Sequence, residues 1–189
     1  MLRRRETGGG LLILIRSMDL PKRKRNRLEN WDYSTNGAYF VTICTYNRET
    51  ILGRDVGAIH ESPATGIALT QIGQIVSDTA ETLPQRFPEI KLEKYVVMPN
   101  HVHLLLLIDR DPRAIRESPL QSGRSLISKV VGYFKMNSSK KAHKIEPGLM
   151  LWQRSFHDHI IRNDGDYLRI WEYIDTNPIK WREDCFFKL

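Results

Sequence analysis

The chain has 189 residues, 41% of them hydrophobic, and a formal charge of +7. This length and apolar content suffice for one globular core and exclude any need for disulfides or a structural metal to hold it. The two cysteines, Cys44 and Cys185, are too few for a secreted disulfide framework, and the apolar run Leu11–Ile15 is too short to cross a bilayer.

Much of the positive excess sits at the start, in Arg3, Arg4, Arg5, Arg16, Lys22, Arg23, Lys24, Arg25 and Arg27. Residues 1–29 therefore read as a basic, disordered arm, of which 1–17 contribute nothing to the fold, and 30–189 read as one domain. No small-residue cleavage site follows Leu11–Ile15, so the sequence predicts a protein of the reducing cytoplasm. The domain keeps its own basic group, Arg124, Lys129, Lys135, Lys140, Lys141 and Lys144. Such a charge balance points to a polyanionic partner.

Tyr39 to Tyr46 alternates, is rich in β-branched and aromatic residues and follows the turn-prone Ser34-Thr35-Asn36-Gly37, which predicts a first strand. Val56 to Glu61 and Gly66 to Leu69 flank Ser62-Pro63-Ala64-Thr65 as a small hairpin. Leu69, Ile72, Ile75, Val76, Ala80 and Leu83 recur at helical spacing, with Thr70 as cap and Pro84 as stop. Ile90 to Met98 and His101 to Ile108 are strand-like runs joined through Pro99-Asn100, so they should pair antiparallel. Asp109 to Gly123 is polar and broken by prolines, hence a loop. Leu126, Val130, Tyr133 and Phe134 mark a second helix with a lysine-rich flank, Phe156 to Arg162 a further strand, and Tyr167, Ile170, Trp171 and Ile174 a last helix. Strand, helix, strand, strand, helix, strand, helix describes an α+β fold of ferredoxin-like type, an antiparallel sheet with helices packed on one face.

The pair His101-Val102-His103 opens an otherwise apolar strand. Strand side chains alternate between faces, so both imidazoles point one way and Val102 points into the core. Buried imidazoles need partners, and a divalent metal gives this spacing a purpose. A second such pair, His157-Asp158-His159, competes for that role, although the intervening acid and basic flanks also suit a polar sheet edge. On the last helix Tyr173 falls on the flank of the apolar stripe, where its hydroxyl can reach a cleft over the sheet. Pro178 disfavours helical geometry at Asn177, which should end the helix and free that amide.

Three separated motifs then match a family in order: Met98-Pro99-Asn100-His101-Val102-His103, Leu151-Trp152-Gln153-Arg154 and Tyr173-Ile174-Asp175-Thr176-Asn177-Pro178. With Asp32-Tyr33-Ser34 and Asn36-Gly37-Ala38-Tyr39-Phe40, the chain from about Asn30 to Trp181 resembles the REP-associated tyrosine transposases, single-tyrosine members of the HUH endonuclease superfamily. The resemblance implies cleavage and rejoining of single-stranded DNA at palindromic hairpins. It implies Mg²⁺ or Mn²⁺ held by His101 and His103, with Asn177 as a third ligand, and Tyr173 as nucleophile forming a 5′-phosphotyrosine. Lys129, Lys135, Lys140, Lys141, Trp152 and Arg154 are the candidate DNA contacts, with Trp152 available to stack on an unpaired base. Monomer and homodimer both remain open. Two other readings compete: a domesticated hairpin-binding protein without cleavage, which would need neither the imidazoles nor Tyr173, and a histidine-triad nucleotide hydrolase, which would want another His where Leu105 stands.

Overall fold

The computed structural model describes residues 31–56, 66–111 and 124–187. The expected arm over 1–29, the tip of the small hairpin and most of the loop from Asp109 to Gly123 lie outside the described residues. Chain order is β1 (Gly37–Cys44), β2 (Gly53–Asp55), β3 (Ile67–Leu69), α1 (Gln71–Glu81), α2 (Leu83–Arg86), β4 (Ile90–Met98), β5 (His101–Ile108), α3 (Leu126–Ala142), β6 (His157–Ile161) and α4 (Asp164–Thr176), with short 3₁₀ turns at Tyr46–Arg48 and Trp181–Glu183. Four strands form an antiparallel sheet in the order β4-β5-β1-β6, and β2 pairs with β3 as a separate ribbon. The hairpin exists, but its first strand precedes the predicted Val56–Glu61.

Register explains what each face carries. Val41 lies opposite Leu104 and Phe40 opposite Leu105, so the two strands turn like-numbered faces the same way. Val41, Ile43, Val102, Leu104, Leu106 and Ile108 form the main core with Val76 and Ala80 of α1 and Ile127, Val130, Val131 and Phe134 of α3. Phe40, Leu105 and Ile161 point the other way and meet Ile170 and Ile174 of α4. The α+β antiparallel fold is as expected, with α1 and α3 on one face. The last helix is the exception and covers the opposite face, the one His101 and His103 share with Leu105. The cause is in β5 itself: after the histidines it runs apolar without alternation, the pattern of a strand covered on both sides.

Local signals place the helices. Thr70 caps α1, its hydroxyl accepting from the Gly73 N–H at 3.0 Å while donating to the Ile51 carbonyl at 2.7 Å. Asn163 caps α4 by accepting from the Asp166 N–H at 2.8 Å, with Asp164 and Asp166 in the first turn where the helix dipole favours them. Gly73 is where the chain crowds most, since a Cβ there would stand 1.8 Å from the Leu52 carbonyl oxygen. That oxygen already accepts from the Thr70 N–H. Alanine gains about 1 kcal/mol of helix propensity over glycine, but forcing this backbone contact apart costs more. Gly73→Ala is expected to lower stability by roughly 3 kcal/mol or more, read as the shift of the urea midpoint.

Candidate metal and nucleophile site

The site forms where the first turn of β5 meets α4 and the segment after it. His101 and His103 are both fully buried on the α4 side of the sheet. Each ring is pinned through its Nδ1. His101 Nδ1 lies 2.9 Å from Asn100 Oδ1, and His103 Nδ1 lies 2.9 Å from Thr42 Oγ1, brought alongside by the Thr42 to His103 register of β1 and β5. Asn100 is oriented in turn, because its amide nitrogen donates to the carbonyls of Arg48 and Phe186. Its oxygen can therefore only accept, so the neutral His101 carries its proton on Nδ1 and offers a bare Nε2.

The two Nε2 atoms face each other at 2.9 Å. At that separation one nitrogen donates to the other, so His103 gives its Nε2 proton to His101 and takes the Thr42 hydroxyl proton at Nδ1. A hydroxyl donates or accepts equally well, so Thr42 also suits the other tautomer, in which both Nε2 lone pairs converge on one point. Asp184 completes a cluster: one ligand atom from each of His101, His103 and Asp184 lies within 4.8 Å of the others, and this is the only such group of three or more His, Cys, Asp or Glu found among the described residues. The donor set, two imidazole nitrogens and a carboxylate, can hold a divalent metal ion.

Tyr173 stands beside it. Its hydroxyl donates to Asp184 Oδ2 at 3.0 Å and lies 3.4 Å from His103 Nε2, with the ring edge-on to Phe40 and 37% exposed. Nucleophile candidate and imidazoles thus converge within a single chain. Burial, and then the Asp184 charge, push the Tyr173 phenol well above its ordinary range, so it is protonated in the metal-free site.

Asn177 behaves differently from the sequence expectation. It keeps helical backbone angles in spite of Pro178, its N–H bonds to the Tyr173 carbonyl at 2.9 Å, and its side chain is buried rather than free. The reason is a tertiary anchor: Asn177 Nδ2 donates to Asp184 Oδ2 at 2.9 Å, the same oxygen that takes the tyrosine proton. That bond leaves Asn177 Oδ1 a buried acceptor with no hydrogen-bond partner among the described residues.

Burial governs the charge state of the imidazoles. It lowers His101 from 6.5 to about 4, against a smaller opposing pull from Asp184, and holds His103 well below its ordinary value, with His101 adding to the effect. Between pH 6.5 and about 4 the unfolded chain binds protons that the folded, metal-free site refuses, so stability falls as the pH drops through that window. The slope should approach about 1.4 kcal/mol per pH unit for each imidazole, measurable as urea midpoints in EDTA at pH 7 and pH 5.

The other predicted residues divide. Lys129, Lys140, Lys141 and Arg154 are exposed. Lys135 is instead bound to the Gln153 and Ser155 carbonyls at 2.8 and 2.7 Å, and burial lowers it to about 8. Trp152 packs on Phe134 and donates its indole N–H to Ser138 at 2.9 Å, a core contact rather than an open stacking platform. The competing pair lies on the edge strand β6, both rings exposed, and His159 Nε2 is taken by Asp166 at 2.7 Å. Sequence reasoning missed Thr42 and Asp184. Asn100 was visible as part of the histidine motif, but not its role in fixing a tautomer.

Over 174 residues the chain is 33% identical to an uncharacterized protein of Haemophilus influenzae, an alignment covering 87% of this chain and 93% of that one. A second protein of that organism, described as "Putative REP-associated tyrosine transposase", is 28% identical over 152 residues, covering 79% of this chain and 74% of the relative. Among solved structures, a REP-associated tyrosine transposase bound to a REP hairpin shares the fold with a TM-score of 0.55 at 22% identity, over 82% of this chain and 74% of that one. No protein-family model matches the chain. No described helix is long and apolar enough to cross a membrane.

Proposed function

We propose that the chain is a REP-associated tyrosine transposase, as its 28% identical relative is described, and that it cuts and rejoins single-stranded DNA at palindromic hairpins through a covalent link to Tyr173. The observation that carries this reading is the convergence of the Tyr173 hydroxyl, the two imidazole Nε2 atoms and the Asp184 carboxylate at one end of the sheet. A binder has no need of a phenol held against a metal-ligand cluster, which disfavours the domesticated reading.

His101 and His103 would hold the cation, with Asp184 beside them, and the Asn177 oxygen, which has no hydrogen-bond partner among the described residues, would be the further donor the family pattern implies. Mg²⁺ prefers oxygen ligands while imidazole suits softer ions, so a mixed site of this kind accepts Mn²⁺ readily. When bound, the ion acts as a Lewis acid on the phosphoryl oxygens. The chain does the rest. Asp184 holds the Tyr173 proton in a hydrogen bond, which aims the phenol oxygen and provides an acceptor for that proton as the oxygen bonds to phosphorus. The bond to the 3′ oxygen breaks, that oxygen takes up a proton, and the strand is left with a free 3′-hydroxyl and a 5′-phosphotyrosine. The phosphotyrosine conserves the bond energy for a later strand transfer, which hydrolysis would discard. Because Tyr173 reaches the imidazoles of its own chain, a single protomer is sufficient for the cut. The exposed Lys129, Lys140 and Arg154 supply phosphate contacts to the unpaired strand, and a protein acting on such DNA works in the cytoplasm.

The test is a labelled hairpin with an unpaired flank, incubated with the protein and Mn²⁺. A protein–DNA adduct that survives boiling in detergent supports the proposal. Tight hairpin binding with no adduct under any divalent ion would return the protein to the binding class.

A further inference from the structure

On the sheet face away from the imidazoles, the junction of α1 and α2 with α3 borders an open cleft of about 330 Å³ lined by Thr82, Gln85, Arg86, Tyr133, Asn137 and Lys141. Two cations line it and no carboxylate does. The nearby acids of α1 are engaged elsewhere, Asp78 by Gln74 and Glu81 by the Tyr95 hydroxyl. The Arg86 guanidinium lies over the rings of Phe87 and Tyr133, 5.4 and 5.7 Å from their centroids, and those rings meet edge to face. These ring contacts hold the guanidinium beside the cleft, and its N–H groups have no carboxylate partner among the described residues. Lys141 uses one of its three N–H donors on Thr79 Oγ1 at 3.2 Å, and Lys140 and Lys144 continue the exposed charge alongside.

We propose that this cleft grips the phosphodiester backbone of the paired stem of a DNA hairpin, while the unpaired flank lies at Tyr173 on the other face. The proposal rests on the DNA reading above. The chemistry favours backbone over bases: Arg86 already covers the aromatic faces on which a base would stack, which leaves charge and N–H donors, the groups that recognise phosphate. A stem offers two rows of phosphates, and the tyrosine site has no use for them because it requires an unpaired strand.

The experiment compares the parent with an Arg86→Gln, Lys141→Gln double variant, titrating a labelled hairpin in EDTA over a range of salt and measuring Mn²⁺-dependent cutting of a stemless single strand. The variant should bind the hairpin about tenfold more weakly, with a plot of log affinity against log salt shallower by roughly 2, and should cut the stemless strand at the parental rate. If the double variant melts early, Lys141→Gln alone carries the test, with the slope reduced by about 1. Parental affinity and slope in the variant overturn the cleft while leaving the DNA reading intact. A parent that binds no hairpin overturns both. Saturable binding of inorganic phosphate alone, lost in the variant while hairpin affinity is kept, assigns the cleft to a free anion and overturns the DNA partner.

Discussion

Tyr173→Phe is expected to abolish the detergent-stable adduct and to lower strand cutting by more than about 10⁴-fold, because it removes the attacking oxygen rather than a helper. The same change should hardly disturb the fold. Its ring keeps the edge contact with Phe40 and the 5.3 Å approach to His103, and what it loses is the hydrogen bond from a part-exposed hydroxyl to Asp184 and its longer contact with His103 Nε2, together worth about 1 kcal/mol. Hairpin affinity, set by phosphate contacts elsewhere, should be unchanged. Quantifying adduct on denaturing gels beside a thermal melt separates these effects. A Phe variant that still forms the adduct places the nucleophile on another residue. The protonated state of Tyr173 adds a pH signature: burial and Asp184 hold the phenol up, so cutting by the parent should rise with pH through the neutral range wherever proton loss limits the rate.

The parts of this site that could be read from sequence are those fixed by short-range rules. Alternation in β5 put both imidazoles on one face, the Pro99-Asn100 turn gave the hairpin of β4 and β5 with the residue bounds found in the structure, and the spacing of Ile170 and Ile174 set which side of α4 turns inward, hence where Tyr173 sits. What escaped depends on pairing over long separations. Thr42 touches His103 only because β1 and β5 are in register across 61 positions, and a threonine in a strand has no feature that distinguishes it from any other β-branched residue. Asp184 sits after Pro178 in an irregular segment without periodicity, where a carboxylate reads as a solvated tail until Tyr173 and Asn177 are found bound to it. The internal contacts of Lys135 and Trp152 escaped for a related reason. Both are amphipathic, so composition alone cannot tell an outward cation or ring from one that secures the loop around Gln153 or caps the packing of Phe134. The placement of α4 was legible after all, in the unbroken apolar run of β5, which a sheet with one wet face would not carry.

The second large effect concerns His101→Ala, expected to weaken Mn²⁺ binding by more than about 100-fold and to eliminate cutting while hairpin affinity stays at the parental level. Removing the ring takes away one of two facing nitrogen donors and leaves Asn100 Oδ1 without its partner, so some stability is lost in the metal-free protein, of order 1–3 kcal/mol. A purely structural histidine would show that loss too, which is why stability cannot decide the question. Two other readouts can. Calorimetric titration with Mn²⁺ separates the cases directly, since a structural residue leaves metal affinity where it was. The acid sensitivity of the metal-free protein gives the complementary result: deleting one buried neutral imidazole should remove its share of the stability lost between pH 6.5 and 4, whatever the role of the ring, so a variant with the reduced slope is folded around the same site. A variant that shows this reduced slope, binds Mn²⁺ like the parent and still cuts DNA would dismiss His101 as a ligand. One that shows the slope, loses the metal and keeps the hairpin would make the imidazole a ligand, because the fold and the DNA grip would both be shown to survive without it.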